Sequence, residues 1–219
     1  RNADGSIKTE GGRVIYDANQ TGFQRPAITG NAVRDNEYNS SHSYRDILQG
    51  QWDVQITPIE GLILDANLNA FSSNTRANDL ASAFASGQAD DGEASVSANR
   101  YFTVNQRYTV NYDKSLGDHH FNILAGYEQY KLKYQYLSGS NTRLYDPFIG
   151  ELGNAFGTSK KKNNSFTNNY MTEGFFGRVM YDYADKYFVN ASLRRDASCA
   201  VAPGHRWGTC GSVGLAWQM

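Results

Sequence analysis

Residues 101–113 read YFTVNQRYTVNYD, and their alternation decides the fold class. Phe102, Val104, Tyr108, Val110 and Tyr112 fall on one parity, while Thr103, Asn105, Arg107, Thr109 and Asn111 fall on the other. Successive side chains of a β-strand point to opposite faces, so this is a strand with one apolar and one polar face. The same period recurs at 44–57 (Leu48, Trp52, Val54, Ile56), 62–71 (Leu62, Leu64, Ala66, Leu68) and 120–131 (Phe121, Ile123, Ala125, Tyr127). It returns at 174–183 (Phe175, Val179, Tyr181, Tyr183), 187–196 (Tyr187, Val189, Ala191, Leu193) and 207–217 (Val213, Leu215, Trp217). No stretch has the periodicity of a long amphipathic helix. The chain reads as all-β, with about seven strands.

Between these strands the connections are 58–61, 72–100, 114–119, 132–173, 184–186 and 197–206, so short and long alternate without exception. Outer-membrane barrels place tight turns at the periplasmic end and long loops outside. Aromatic residues sit at the strand ends: Tyr112 and Phe121 bracket one short connection, Tyr183 and Tyr187 another, and Phe102, Tyr127 and Phe175 mark the far ends. Amphipathic rings favour both interfaces of a bilayer. Phe102 and Tyr112 are ten residues apart, roughly 23 Å of height at ~3.3 Å per residue and ~45° tilt, close to an apolar band of ~25 Å. The expected architecture is a segment of a large antiparallel transmembrane β-barrel with long extracellular loops. Seven strands leave two edges whose backbone groups lipid cannot satisfy, so residues 1–219 are expected to be part of one such barrel domain. A soluble carbohydrate-binding β-sandwich or adhesin domain shares the alternation, but there the apolar face is a protein core.

Composition agrees with a wet inner face. The 219 residues carry 21 Lys and Arg against 22 Asp and Glu, a net charge of −1, which excludes a simple electrostatic partner such as nucleic acid. Mean hydropathy is −0.61, and no apolar run approaches the length a membrane helix needs. Tyr (15) and Phe (11) are abundant for so polar a chain.

Residues 173–187 read EGFFGRVMYDYADKY, followed by FVNASLRRDAS and, after a short loop, RWGTCGSVGLAW. This run resembles the barrel of SusC/RagA-like TonB-dependent outer-membrane transporters. The correspondence is ungapped from Glu173 to Trp217 and passes through Arg178, Tyr181, Arg194, Arg195, Asp196, Pro203, Trp207, Ser212 and Val213. FNILAGYEQ at 121–129 is similar to a further strand of that family. The resemblance implies a multi-pass protein of the bacterial outer membrane that imports oligosaccharides or peptides. A SusD-like surface lipoprotein would cap the extracellular mouth, and TonB would act through a plug domain expected outside this stretch. A passive porin is the other membrane alternative. The resemblance implies no enzymatic activity and no cofactor.

Ala197, Cys199, Val201, Cys210 and Gly211 depart from the family pattern. Folding the hairpin about Gly204–His205 would set Cys199 opposite Cys210, so a cross-hairpin disulfide stands beside two unpaired residues as the alternatives.

Strand parity directs Gln49, Gln51, Asp53, Asp65, Asn67, Asn105, Arg107, Glu128, Arg178, Asp182, Arg194 and Asp196 into the lumen. There they would bind a plug or a passing hydrophilic solute. The segments 1–41, 72–100 and 132–173 are expected to be extracellular. Their Tyr134, Tyr136, Tyr145, Phe148 and Phe156 are candidates to stack on sugar rings or grip peptide side chains, or else to pack the loops. No catalytic or metal-ligating motif emerges. His119–His120 falls in a tight turn without partners at ligand spacing, and Asp90, Asp91 and Glu93 lack the regular spacing of a calcium loop.

Overall fold

Seven long strands in strictly sequential antiparallel order, β3-β4-β5-β6-β7-β8-β9, make up the main sheet. The computed structural model describes residues 4–7, 9–10, 13–14, 32–85, 92–157 and 162–218. β1 (Thr9–Glu10) and β2 (Arg13–Val14) form a separate small hairpin, and α1 (Ala32–Tyr38) precedes the sheet. The sheet comprises β3 (Ser40–Ile59), β4 (Leu62–Ala81), β5 (Glu93–Leu116), β6 (His119–Thr142), β7 (Lys162–Tyr183), β8 (Tyr187–Ser198) and β9 (Trp207–Trp217). Each contains one of the ranges read from alternation.

Four of these strands run well past those ranges. β4 and β5 absorb most of 72–100, and β6 and β7 absorb most of 132–173, leaving connections of 82–92 and 143–161. The expected extents of those two extracellular loops are therefore corrected. Ladder hydrogen bonds use only the backbone, so pairing continues where side chains on both faces are polar, as in Ser72-Ser-Asn-Thr-Arg-Ala-Asn-Asp79. The alternation of short and long connections survives: 60–61, 117–118 and 184–186 are tight, and 82–92, 143–161 and 199–206 are longer.

Turn chemistry explains the tight ends. Gly61 (φ 81°) and Gly117 (φ 62°) occupy the left-handed region that hairpin turns require. At 184–186 the same conformation falls to Ala184 (φ 51°) and Asp185 (φ 53°), closed by Lys186 N–H donating to Tyr183 O at 3.0 Å.

The chain divides into two compact units, described separately. The first (1–45, 75–99, 136–166) holds the only well-buried apolar side chains among the described residues, Leu80, Ala85 and Ala94. The second (46–74, 100–135, 167–219) has no such core. Its apolar face is open: Val213 is 75 % exposed, Leu215 79 %, Trp217 62 % and Trp52 56 %. A β-sandwich would bury that face, so the exposure runs against the sandwich alternative.

Candidate functional site

The polar face of the second unit is where sequence motifs converge. β7 pairs with β8 so that Phe176 is opposite Arg194 and Gly174 opposite Asp196. Arg194 extends over the Phe176 ring, 5.6 Å from its centroid, and bonds both Glu128 of β6 and Asp196 (2.8 Å). Glycines make this layering possible. A Cβ on Gly126 would run into the Phe176 ring, and one on Gly174 into the Asp196 carboxylate. The segments Gly126–Glu128, Gly174–Phe176 and Arg194–Asp196 are thus one interlocked patch.

Further along the same face, Asp53 accepts hydrogen bonds from Gln51 (2.8 Å) and from Asn67, and Thr109 donates to Asp65 at 3.4 Å. Asp53, Asp65, Asn67, Arg107, Leu124 and Phe176 line a cavity of about 630 Å³. Asn105 is an exposed β5 residue outside that cavity, and Arg178 is opposite Ser192 in the β7–β8 ladder. At the short-turn end, the His120 ring lies between Asp182 (2.7 Å) and Asp113 (3.2 Å), and Asn122 donates to Asp113 at 2.9 Å. The sequence reading puts His120 in a tight turn; it stands instead on β6, with two carboxylate partners at hydrogen-bond distance. They come from neighbouring strands, which sequence spacing does not show. Phe176, Gly126 and Gly174 belong to this face although parity of polar residues does not pick them out. The signal was present: Phe175-Phe176 puts apolar side chains on both parities.

The aromatic candidates divide between strands and connections. Tyr134 and Tyr136 lie in β6, not in a loop. Tyr134 stacks on Tyr101 with centroids 4.4 Å apart, and Tyr136 meets Phe166 at 5.3 Å. Tyr145 packs on Phe156 at 4.4 Å within the 143–161 connection. Phe148 joins Tyr38 (6.1 Å) and Phe84 (5.9 Å) in a cluster beside a cavity of about 490 Å³ that Tyr145 and Pro147 also line. The connection is held by Asn154, whose side chain donates to Asp146 O and Ile149 O and accepts from Asp146 N–H. It is anchored by Glu151, which takes both an Arg76 ion pair (2.9 Å) and an Asn78 hydrogen bond (2.9 Å).

Of the two cysteine alternatives, the structure has the unpaired one. Both are free and exposed. The β8–β9 ladder runs from Tyr187↔Trp217 to Ala197↔Trp207, which puts Arg194, not Cys199, opposite Cys210. Cys199 is instead tied to β7, its Sγ accepting from Met171 N–H at 3.0 Å.

On the opposite face, aromatic residues gather in two rows. Tyr187 stacks with Trp217 (6.3 Å), and Phe121 meets Tyr181 with tilted rings (4.9 Å), at the short-turn end. At the far end Tyr127 meets Phe175 (4.9 Å), and Phe175 meets Trp207 (6.1 Å).

No family model matches the chain. It is 26% identical over 163 residues to TonB-dependent receptor P3 of Formosa agariphila, covering 74% of this chain and 16% of that protein. It is 23% identical over 121 residues to TonB-dependent receptor SusC of Bacteroides thetaiotaomicron, covering 54% of this chain and 11% of SusC. The solved RagAB peptide transporter superposes with a TM-score of 0.78 at 21% identity, over 88% of this chain and 22% of that one. The RagAB peptide importer in its open-open state gives 0.76 at 20% identity, with the same coverages. The chain thus spans about a fifth or less of the length of each of these proteins. Its fold is that of the wall of a large antiparallel barrel.

Proposed function

We propose that this chain, a stretch of SusC/RagA-like TonB-dependent receptor barrel, serves the import of oligosaccharides or peptides across the bacterial outer membrane. One observation carries the reading: a charge-free apolar face stands open between two aromatic rows, while the reverse face is polar and bonded across strands. Lipid would cover the first face, and water, a plug or passing solute the second. The relatives' names, TonB-dependent receptor and peptide importer, support active import over passive diffusion.

In this reading the Glu128–Arg194–Asp196 patch and the cavity beside Asp53 and Arg107 offer hydrogen-bond donors and acceptors of both signs to a hydrophilic surface moving along the wall. The aromatic cluster of Tyr38, Phe84 and Phe148 lies on the long-connection side, where a SusD-like lipoprotein would close over the substrate. TonB would act on a plug held inside the wall.

The test is uptake by a strain lacking the gene, complemented with the wild-type copy, on a panel of labelled glycans and peptides. Loss of one class, restored by complementation and abolished by dissipating the proton-motive force, is the expected result. Uptake that persists without that force would instead make the protein a passive pore.

A further inference from the structure

Beyond the charged patch, the polar face of the second unit turns aromatic. Tyr101, Thr103 and Asn105 share the parity of Arg107, which lines the cavity beside Asp53 and Phe176. Tyr130 and Tyr134 share the parity of Gly126, which lies against the Phe176 ring, and Tyr170 shares that of Phe176 itself. Two ring contacts agree with this common face. Tyr101 stacks on Tyr134 with centroids 4.4 Å apart, and Tyr130 meets Tyr170 edge-on at 6.2 Å. Four tyrosines from three neighbouring strands thus line one strip of the wall.

Exposure, charge and free hydrogen-bonding groups on the strip select its ligand. Tyr101 and Tyr170 remain 43 % and 36 % exposed, so ring surface is left over after the tyrosines have packed on one another. From Tyr101 to Asn105, from Tyr130 to Tyr134 and from Asn168 to Thr172, positions of this parity carry only Tyr, Leu, Thr and Asn; charge returns at Arg107 and Glu128. Asn105 and Asn168 are exposed, and their amides make no side-chain hydrogen bond among the described residues. A peptide has charged termini to neutralise, or needs a free strand edge for its backbone, and β5, β6 and β7 are each paired on both sides. A neutral sugar needs neither. Its C–H faces lie on aromatic rings, and its hydroxyls bond uncharged amides and hydroxyls.

We infer that the strip of Tyr101, Tyr130, Tyr134 and Tyr170 binds an uncharged oligosaccharide, with sugar rings on the tyrosines and hydroxyls on Asn105 and Asn168. The inference rests on the import reading and names its substrate class. Tyr130 and Tyr134 are four residues apart along β6, roughly 13 Å at ~3.3 Å per residue, so the strip spans more than one sugar ring. Tyrosine suits the task, because it offers a rigid flat surface at low entropic cost and a hydroxyl at its edge.

The experiment uses the intact receptor in detergent micelles. It is offered in turn neutral hexasaccharides of glucose, mannose and xylose, a hexauronate, and a pool of hexapeptides, with binding read by saturation-transfer NMR. At least one neutral hexasaccharide is expected to bind, with saturation strongest at its ring C–H protons. Tyr134→Ala and Tyr170→Ala should each weaken that binding about fivefold, while Tyr134→Phe and Tyr170→Phe, which keep the ring, stay within about twofold of wild type. Heat-modifiable migration on gels checks that each variant is folded. Binding of no neutral hexasaccharide overturns the inference, as does binding that both alanine variants leave unchanged or both phenylalanine variants fail to keep. Tighter binding of the hexauronate or the peptides, lost in the same alanine variants, overturns it too. Each of these outcomes removes the strip as a glycan site and leaves the import reading to its uptake assay; uptake that persists without the proton-motive force removes the import reading and leaves glycan binding to the strip intact.

Discussion

The Arg194 guanidinium lies over the Phe176 ring, 5.6 Å from its centroid, on the polar face of adjacent strands. From there it reaches carboxylates on both sides, Glu128 and Asp196. A planar fork suits this double duty, because it stacks on an aromatic face while its edges donate to two acceptors. Lysine has one compact charge and cannot do both. Arg194→Lys is therefore expected to destabilise the folded protein by about 1 kcal/mol, a value kept low because the side chain is 45% exposed. Arg194→Met, which leaves two carboxylates facing each other, should cost more. Urea unfolding in micelles measures both; midpoints unchanged from wild type would show that the patch is not a stabilising unit.

Gly126 leaves the space that the Phe176 ring fills. Gly126→Ala should cost about 1–3 kcal/mol through overpacking. Phe176→Ala introduced alongside it removes the clash, so the double variant should be more stable than the sum of the single losses predicts, by at least about 0.5 kcal/mol. Simple additivity in the same unfolding assay would place the two residues out of contact.

Cys199 lies just past the end of β8 and is bonded to Met171 of β7, whereas Cys210 is on β9 opposite Arg194. Alkylation of the native protein without reductant should add two adducts, and prior reduction should change nothing. A pair of adducts that appears only after reduction would restore the cross-hairpin disulfide.

The cysteine pair marks the boundary between what alternation encodes and what only the ladder register decides. The strands were legible because one face meets an apolar medium, which imposes alternation on residues such as Val189, Ala191 and Leu193. Their extension to Ala81, Glu93, Thr142 and Lys162 was not, since no medium selects polar side chains there and the backbone ladder alone holds the sheet. Register was also invisible at 199–206, where no tight turn marks the hairpin centre. It is fixed from the other end, by Tyr187 against Trp217 and by the 2.8 Å Ser192–Ser212 contact. Parity assigns the polar residues to one face position by position. What parity omitted was Phe176, because an aromatic ring beneath an arginine breaks the polar rule that found its neighbours. The aromatics are visible as residue types, but alternation fades before Tyr134 and Tyr136, which β6 nevertheless includes.

The central claim is that the apolar face of β8 and β9 meets lipid while the reverse face meets water. Single cysteines placed successively at Val189, Asn190, Ala191, Ser192 and Leu193, in a Cys199→Ser and Cys210→Ser background, test it in intact outer membranes. The account predicts alternation: a membrane-impermeant hydrophilic maleimide labels positions 190 and 192 once the lumen is accessible, and a lipid-phase reagent labels 189, 191 and 193. Equal labelling of all five positions by the hydrophilic reagent would contradict it.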